Sequence, residues 1–262
     1  MAETTTIEQK FRKLVDIMSQ LRGENGCPWD KEQTHQSLRQ YLLEEAYEVL
    51  ELIDQQRYDE MQYELGDLLL QIIFHCQIAQ EDNRFSIANI LDNINEKLIA
   101  RHPNVFGDVE IKTAEEQTVN WERLKMKEGK KSVIDGVPAE LPALLRAHRM
   151  QAKAATVGFD WDNANDVWAK VHEEIDELKH AVQHETENEV ESEFGDLMFA
   201  LVNLSRFIKV NPEDALRRAI SKFARRFQQV EHEIKNSGRH MKDCTLEELD
   251  AVWDEVKRRE VK

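Results

Sequence analysis

The sequence carries one acidic pattern twice, and this repetition constrains the fold more than any other feature. The pattern is a pair of adjacent glutamates, a third glutamate three positions later, and a Glu-x-x-Asp motif further along the chain. The first copy is Glu44, Glu45, Glu48, Glu64 and Asp67, and the second is Glu173, Glu174, Glu177, Glu193 and Asp196. Each member of the first copy has a counterpart in the second at the same separation along the chain. The first such pair is at positions 44 and 173, and the last is at 67 and 196. The repetition predicts a duplicated domain.

The spacing within each copy predicts its geometry. Residues three apart on an α-helix lie on one face, so Glu45 and Glu48 form one row and Glu64 and Asp67 form another. A fold-back near position 56 brings the two rows face to face, and a fold-back near position 185 does the same in the second copy. Carboxylates gathered in this way repel one another unless a cation lies between them. We therefore predict two metal sites, and ligands that are all oxygen favour Mg²⁺ or Mn²⁺ over zinc or copper.

Composition predicts an all-α fold in two tandem domains. The 262 residues include only nine glycines and five prolines, and the long stretches between them are rich in helix-forming residues. The clearest interruption contains Gly129, Gly136, Pro138 and Pro142. We expect a first domain over residues 1–130, a linker over 131–142 and a second domain over 143–262.

Charge and cysteine content exclude several classes of protein. The formal net charge of −16 argues against broad binding to nucleic-acid backbones or to anionic membranes. The three cysteines are scattered, without the spacing of a zinc site or a disulfide framework. The sequence contains no basic leader and no apolar run long enough to cross a bilayer. A cytoplasmic protein without nucleic-acid or membrane partners is the expectation.

The helix that carries the second acidic row is apolar on almost all sides, which predicts the centre of a bundle or a subunit interface. Gly66 and Gly195 lie inside these helices, beside the acidic residues, where glycine costs about 1 kcal/mol relative to alanine. Their matched positions predict the close approach of a neighbouring helix or of a ligand.

Less specific interpretations also apply. A single acidic motif of this kind is common on solvated helix faces, and only the repetition and the fold-back symmetry favour a site.

Di-iron carboxylate proteins use Glu-x-x-His motifs on two helices. Glu177 with His180 matches these letters, but the first copy has Glu51 at the corresponding position. Glu32 with His35 lies outside the fold-back. We treat both matches as chance.

Basic and aromatic residues form a second repeated group. Lys222, Arg225 and Arg226 share one helix, and Lys97 with Arg101 holds the analogous place in the first half. They are either partners for phosphate or a basic face that balances an acidic protein. Trp121 and Trp253 each precede a lysine by four residues, Lys125 and Lys257. Each tryptophan is a candidate for stacking on a base or for a place in the core.

With these motifs in place, the chain resembles the two-domain MazG nucleoside triphosphate pyrophosphohydrolases over nearly its whole length. The matching segments are 24–33 (ENGCPWDKEQ), 64–68 (ELGDL), 101–106 (RHPNVF), 157–161 (VGFDW) and 222–227 (KFARRF), together with both acidic motifs. The resemblance implies two MazG-like helical domains with four-helix-bundle packing in a homodimer. It also implies Mg²⁺-dependent hydrolysis of nucleoside triphosphates to monophosphate and pyrophosphate, with broad tolerance of the base.

The resemblance further implies roles for individual residues. The metal ligands are Glu174, Glu177, Glu193 and Asp196, with Glu45, Glu48, Glu64 and Asp67 as their counterparts. Glu173 or Glu44 orients or deprotonates the attacking water. The substrate-binding residues are Lys170, Lys222, Arg225, Arg226, Trp253 and Lys257 in the second half, and Lys97, Arg101, Trp121 and Lys125 in the first. Trp253 is expected to contact the base. Because Arg225 has Ala100 as its counterpart, the residues leave open whether both halves turn over.

Two other functions remain open from the residues. One or both halves could bind nucleotide and metal as a regulatory sensor without turnover, which predicts binding but no product. A purely structural interaction bundle predicts that nucleotide with Mg²⁺ gives no thermal stabilisation.

Overall fold

A computed structural model describes residues 6–113, 116–117, 120–121 and 131–260, and within these ranges the regular structure is helical, without a β-strand. The chain divides into two compact units, residues 1–111 and 112–262. The all-α fold predicted from composition is confirmed. The predicted linker over 131–142 stays a prediction, since residues 122–130 lie outside the described ranges.

The first unit consists of a helical hairpin with flanking helices. Its elements are α1 (Ile7–Arg22), α2 (Pro28–Glu32), α3 (Arg39–Asp54), α4 (Met61–Glu81), α5 (Ile87–Arg101) and α6 (Pro103–Phe106). Helices α3 and α4 pack together, and α1 packs on α4. Met18, Leu38 and Ile73 are almost completely buried in the core between them. Burial of each such side chain contributes about 1.5–3 kcal/mol, which fixes α4 against both neighbours.

The second unit contains two hairpins joined through one helix. Its elements are α7 (Ala143–Ala155), α8 (Ala164–His184), α9 (Glu187–Phe207), α10 (Pro212–Asn236), a 3₁₀ turn (Met241–Asp243) and α11 (Leu246–Glu260). Helices α8 and α9 form one hairpin and α10 and α11 the other, and α7 packs on both α9 and α10. Val167, Val171 and Leu204 are buried in the first hairpin, and Val230, Ile234 and Val256 in the second.

The turns of the two acidic hairpins fall where the fold-back predicts them. In the first unit the chain reverses over residues 55–60, and Gln56 adopts a left-handed backbone conformation. In the second unit only residues 185–186 separate α8 from α9. There Thr186 and Glu189 form a reciprocal capping box at the start of α9. This cap fixes the register of α9 against α8, and so the height at which the acidic residues face each other.

The glycines inside α4 and α9 contradict one expectation. A Cβ added at Gly66 or Gly195 would meet nothing within 4 Å. Within the described residues, no neighbouring helix of this chain packs against either glycine, so that half of the prediction is wrong. The nearby apolar residues Leu65 and Phe194 are about half exposed. Both faces are therefore open to a ligand or to another molecule. None of the described helices is long and apolar enough to span a membrane.

Candidate active site

Three carboxylates converge on the acidic hairpin of the second unit, which α8 and α9 form. Glu174 and Glu177 project from α8 and Glu193 from α9, and one oxygen from each lies within 4.8 Å of the others. Glu174 is buried, Glu193 is partly buried and Glu177 is exposed. The hairpin thus brings together three of the four metal ligands implied for this half. Asp196, the fourth, is exposed and close enough for its charge to act on Glu193.

The convergence is electrostatically unfavourable without a cation. Desolvation raises the pKa of Glu193 above its ordinary value, and the charges of Glu177 and Asp196 raise it further. Glu174 and Glu185 act in the same direction. The fold therefore holds several negative charges together against their mutual repulsion.

Lys170 meets this cluster one turn before Glu174. Its ammonium nitrogen lies 2.7 Å from Glu173 and 2.8 Å from Glu174, and these hydrogen bonds raise the pKa of Lys170. Lys170 is therefore placed at the acidic site, as the resemblance implies. Glu173, the implied base, lies beside the three converging carboxylates and is the more exposed of the two partners of Lys170.

The acidic hairpin of the first unit, which α3 and α4 form, repeats the arrangement. Glu45 and Glu48 on α3 and Glu64 on α4 also bring carboxylate oxygens within 4.8 Å of one another. The pKa of Glu45 is raised by desolvation and then by the charges of Glu48 and Asp67. The pKa of Glu64 is raised by desolvation and by its hydrogen bond with Glu48. Glu44 is exposed on the same helix.

The donor set suits a hard divalent cation. Each cluster offers carboxylate oxygens from two facing helices, and no histidine or cysteine belongs to the described groups. Such ligands suit Mg²⁺ or Mn²⁺, and a positive charge among them would offset the repulsion that raises the pKa values. The residues present therefore fit the implied metal.

The implied phosphate-binding residues of the second half lie on the other hairpin. Lys222, Arg225 and Arg226 are on α10 and Lys257 is on α11, and Lys222 and Lys257 are exposed. Arg225 and Arg226 both donate to Glu260. The Arg226 guanidinium lies 6.0 Å from the Trp253 ring centroid. Arg225, Arg226 and Trp253 thus lie close to one another, and an approach of these residues to the acidic cluster stays a prediction.

Trp253 also takes part in the core of that hairpin. It packs against the buried residues Val230, Ile234 and Val256 and lies 5.4 Å from the Phe223 ring. In the first half, Lys97 is exposed on α5, Arg101 ends that helix and Trp121 is partly buried. Lys125 lies outside the described residues. The substrate contacts of all these residues stay predictions.

A cavity that the sequence did not predict opens beside the second acidic cluster. It has a volume of about 620 Å³ and lies among α7, α8, α9 and the loop that follows α7. Lys170, Glu174 and Asp196 line one part of it. Gln151, Phe159, Trp161, Asn203 and Arg206 line the remainder, with apolar residues between them. A Gly-x-x-Trp-Asp segment occurs twice in the sequence, at residues 26–30 and 158–162, and the second copy forms this loop, but the repeat gave no sign of a cavity.

Comparison with known families agrees with this architecture. The MazG nucleotide pyrophosphohydrolase domain matches twice, at residues 33–106 and 164–231, and each match contains one acidic hairpin. The chain belongs to the MazG family. The two matches cover both halves of the duplication that the acidic motifs predict.

Relatives resemble the chain over nearly its whole length. A nucleoside triphosphate pyrophosphohydrolase/pyrophosphatase MazG of Thermotoga maritima is 46% identical over 94% of this chain and 95% of its own. A nucleoside triphosphate pyrophosphohydrolase of Escherichia coli is 43% identical over 95% of this chain and 97% of its own. An uncharacterized protein of Bacillus subtilis, YabN, is 45% identical over 98% of this chain but only 54% of its own.

Proposed function

We propose that the chain is a Mg²⁺-dependent nucleoside triphosphate pyrophosphohydrolase that breaks the bond between the α- and β-phosphates. Water supplies the oxygen that joins the α-phosphorus, and the bond from that phosphorus to the bridging oxygen breaks. Nucleoside monophosphate and pyrophosphate are the products. The names of the Thermotoga and Escherichia relatives support the activity.

The observation that carries the proposal is the convergence of three carboxylates on each acidic hairpin. In both units the oxygens approach within 4.8 Å, and in both units at least one carboxyl has a raised pKa. A fold that maintains such repulsion twice is best explained by a cation that binds there. Mg²⁺ bound at such a site would neutralise phosphate charge and lower the pKa of a coordinated water.

The residues around the cluster supply the remaining tasks. We assign to Glu173 the orientation of the attacking water and the acceptance of its proton, which then passes to solvent. Lys170 already contacts Glu173 and Glu174, and its ammonium group would hold Glu173 in place or donate to a phosphate oxygen. Lys222 and Arg226 are the residues we assign to the outer phosphates. Binding through phosphates accommodates any base, and we therefore expect broad base tolerance.

Separation of the reaction products tests the proposal. The double variant Glu193→Gln with Asp196→Asn removes two charges from the second cluster, and Glu64→Gln with Asp67→Asn removes two from the first. We expect the four changes together to lower pyrophosphate release by at least about a thousandfold, in line with losses of essential catalytic groups. Glu191→Gln is the matched control, because it lies on α9 two residues from Glu193 and so on another face.

The two double variants, assayed separately, assign turnover to one hairpin or to both. Pyrophosphate release that survives all four changes would contradict the proposal. So would diphosphate and inorganic phosphate as the products, because these report cleavage at the γ-phosphate.

A further inference from the structure

We propose that Glu260 is a positioning residue for phosphate binding, and that its carboxylate orients the guanidinium groups of Arg225 and Arg226 before the triphosphate arrives. This inference rests on the proposed function, which assigns Arg226 to the outer phosphates, and it adds the group that orients this arginine. Glu260 is itself negatively charged and so repels phosphate. Any favourable effect of Glu260 on the substrate therefore acts through the arginines.

One carboxylate joins the two arginines. Arg226 donates from Nε to one oxygen of Glu260 at 2.7 Å, and Arg225 donates from Nε to the other oxygen at 3.0 Å. Adjacent residues of an α-helix point about 100° apart, so α10 alone does not bring these side chains together. Glu260 on α11 contacts both. The two guanidinium groups are therefore held close to each other although they leave α10 in different directions.

This contact leaves the outer end of Arg226 available. Glu260 accepts from Nε only, and among the described residues the two Nη nitrogens of Arg226 have no hydrogen-bond partner. Those nitrogens carry the remaining N–H donors of the group, and a guanidinium can bind phosphate through two parallel bonds. The Arg226 side chain is 15% exposed and that of Glu260 is 20% exposed. The bond between them is thus partly shielded from water, while the free donors remain for a ligand.

Trp253 provides a second contact to the same guanidinium. The Arg226 guanidinium lies 6.0 Å from the ring centroid of Trp253, at the distance of a cation–π contact. Trp253, Lys257 and Glu260 follow one another at spacings of four and three positions, which places them along one face of α11. Glu260 therefore belongs to the same row of side chains as two residues that the resemblance implies in substrate binding.

The sequence repeats this row in the first half of the chain. The same spacing of tryptophan, lysine and glutamate occurs at Trp121, Lys125 and Glu128. Lys125 and Glu128 lie outside the described residues. A glutamate that accompanies the tryptophan and the lysine in both halves is expected if it belongs to the site. A glutamate that only joined two helices would not need this place in the row.

Glu260 remains charged at neutral pH. The hydrogen bond from Arg226 lowers the pKa of Glu260, desolvation acts in the opposite direction, and the bond from Arg225 lowers the pKa further. The three side chains together then carry one net positive charge. They still attract phosphate, and the carboxylate between the two guanidinium groups offsets the repulsion of one for the other.

Preorganisation is the benefit that offsets the added negative charge. Ordering one long side chain on binding lowers affinity by about two- to tenfold. Glu260 and Trp253 order Arg226 before the ligand arrives, so the ligand does not have to do so. Arg225 is 61% exposed, and exposed ion pairs restrain a side chain less firmly. We therefore expect most of the effect of Glu260 to act through Arg226.

A purely structural role for Glu260 has less support. A buried apolar core already holds α10 against α11. A second ion pair, between Glu233 on α10 and Arg259 on α11, joins the same two helices at 2.7 Å. Both of its side chains are exposed, and such pairs contribute little to stability. Glu233→Ala is therefore the matched control, because it removes an ion pair between these helices without a contact to Arg226.

Steady-state kinetics with ATP and Mg²⁺ tests the proposal. We expect Glu260→Ala to raise the KM about tenfold and to change kcat by less than about twofold, because the arginines bind the substrate and the transition state alike. Glu260→Gln keeps one oxygen acceptor, can hold one arginine only and should raise the KM about threefold. Glu233→Ala should keep the KM of the wild type. An unchanged KM in Glu260→Ala would overturn the proposal, and so would a lower KM, which would show that Glu260 blocks the arginines.

A double-mutant cycle separates positioning from a structural effect. In a protein that already carries Arg225→Ala and Arg226→Ala, Glu260→Ala should raise the KM no further, because no arginine is left to orient. A structural loss would raise the KM by the same factor in both backgrounds, and this result would contradict the proposal. Thermal melts of all variants ensure that folded proteins are compared.

Calorimetry provides a readout that does not depend on turnover. The probe is the α,β-imido analogue of ATP with Mg²⁺, which cannot release pyrophosphate, and AMP is the comparison because it lacks the outer phosphates. We expect Glu260→Ala to weaken binding of the analogue about tenfold and to leave binding of AMP unchanged. Equal weakening of both ligands would show a general disturbance of the site and would overturn the positioning role.

The two proposals fail in different ways. If pyrophosphate is released but Glu260→Ala behaves as the wild type does, the reaction stands and the positioning role is wrong. If no triphosphate yields pyrophosphate, the proposed reaction is wrong, and calorimetry with the imido analogue still decides whether Glu260 acts on phosphate binding.

Discussion

The pKa of Glu193 reflects the charges that surround this side chain. A lone glutamate on a helix would titrate normally, but this one lies opposite Glu177 and near Asp196, where desolvation and like charges raise its pKa. The surroundings therefore disfavour the ionised form of this carboxyl relative to water. In the absence of a cation the folded protein therefore carries a stability penalty that depends on pH.

The sign of that dependence gives a prediction. Because the folded-state pKa of Glu193 lies above its unfolded value, the folded protein binds this proton more tightly, and the stability that Glu193 costs at neutral pH without metal should be recovered as pH falls toward its ordinary pKa of 4.5. Glu193→Gln should melt at a higher temperature than the wild type in a chelator at neutral pH, and the difference between the two Tm values should shrink as pH falls. Thermal melts with and without Mg²⁺ measure both effects.

The same melts with Glu191→Gln control for the loss of one negative charge from an acidic protein. An equal stabilisation in both variants would show that net charge, and not the cluster, causes the effect. The wild type should also gain more from Mg²⁺ than Glu193→Gln does, since ligand binding stabilises the folded state in proportion to its affinity.

The two sides of the proposed site were not equally predictable at the level of residues. Carboxylate convergence follows from helical spacing alone, and Glu174, Glu177 and Glu193 meet as predicted. The cavity beside the second cluster has no such signal. One of its lining residues, Gln151, donates a hydrogen bond to the Phe199 carbonyl oxygen, which lies 48 positions away in the sequence. Nor does spacing reveal that Arg225 and Arg226 share Glu260.

At the level of helices, the hairpins were predictable because fold-back symmetry and helical period both restrict them. Helix α4 presents Glu64, and α9 presents Glu193, opposite the preceding helix in each unit. The placement of α10 and α11 was not predictable, because their side chains contain no comparable internal pairing. The expectation that a neighbouring helix packs against the glycines was wrong for a related reason, whereas the expectation of a ligand stays a prediction. Sequence shows that a side chain is missing, but not whether protein, ligand or solvent occupies the space.

The open space at Gly195 leads to a prediction about α9. Gly195→Ala adds a methyl group that meets nothing in this chain, and alanine is favoured over glycine inside a helix by about 1 kcal/mol. We expect a higher Tm together with lower activity or weaker self-association, since the space would serve an incoming ligand or subunit. Thermal melts, pyrophosphate release and light scattering measure the three quantities.

Gly66→Ala is the paired experiment on α4, where the added methyl group also meets nothing within 4 Å. Gly238 serves as the opposite control, because its φ of 75° strains any other residue whatever the space. Gly238→Ala should lower the Tm. A Gly195→Ala protein that is more stable, fully active and as self-associated as the wild type would show that the gap has no function.

At the scale of the whole molecule, the exposed apolar residues favour self-association. Leu216, Ile220, Phe223 and Phe227 follow one another at helical spacing along α10, and all are more than a third exposed. Soluble monomers rarely expose such continuous apolar patches. The homodimer implied by the resemblance therefore stays a prediction that this face supports.

We expect the wild type to scatter light as a particle of twice 30.7 kDa, and Ile220→Asp with Phe223→Asp to shift it toward the single-chain mass. The charged side chains would have to be desolvated at an apolar contact, which is strongly unfavourable. Gln229→Asp, on the same helix but away from Phe227, should leave the mass unchanged. A double variant that stays at the wild-type mass would exclude this face as the contact.

Gly66 and Gly195, beside which an added side chain would meet nothing, show what a gene duplication can preserve. When a gene segment is duplicated, the copy inherits vacancies along with contacts, and here one vacancy sits at the matching place in both halves. The loss of a contact lowers the stability of the fold and can be detected in that way. Filling an empty space in a helix face raises the stability but removes the room that a ligand or a second subunit could use. Selection for thermal stability alone would favour alanine at both glycines. Efforts to stabilise the protein should therefore leave positions 66 and 195 unchanged.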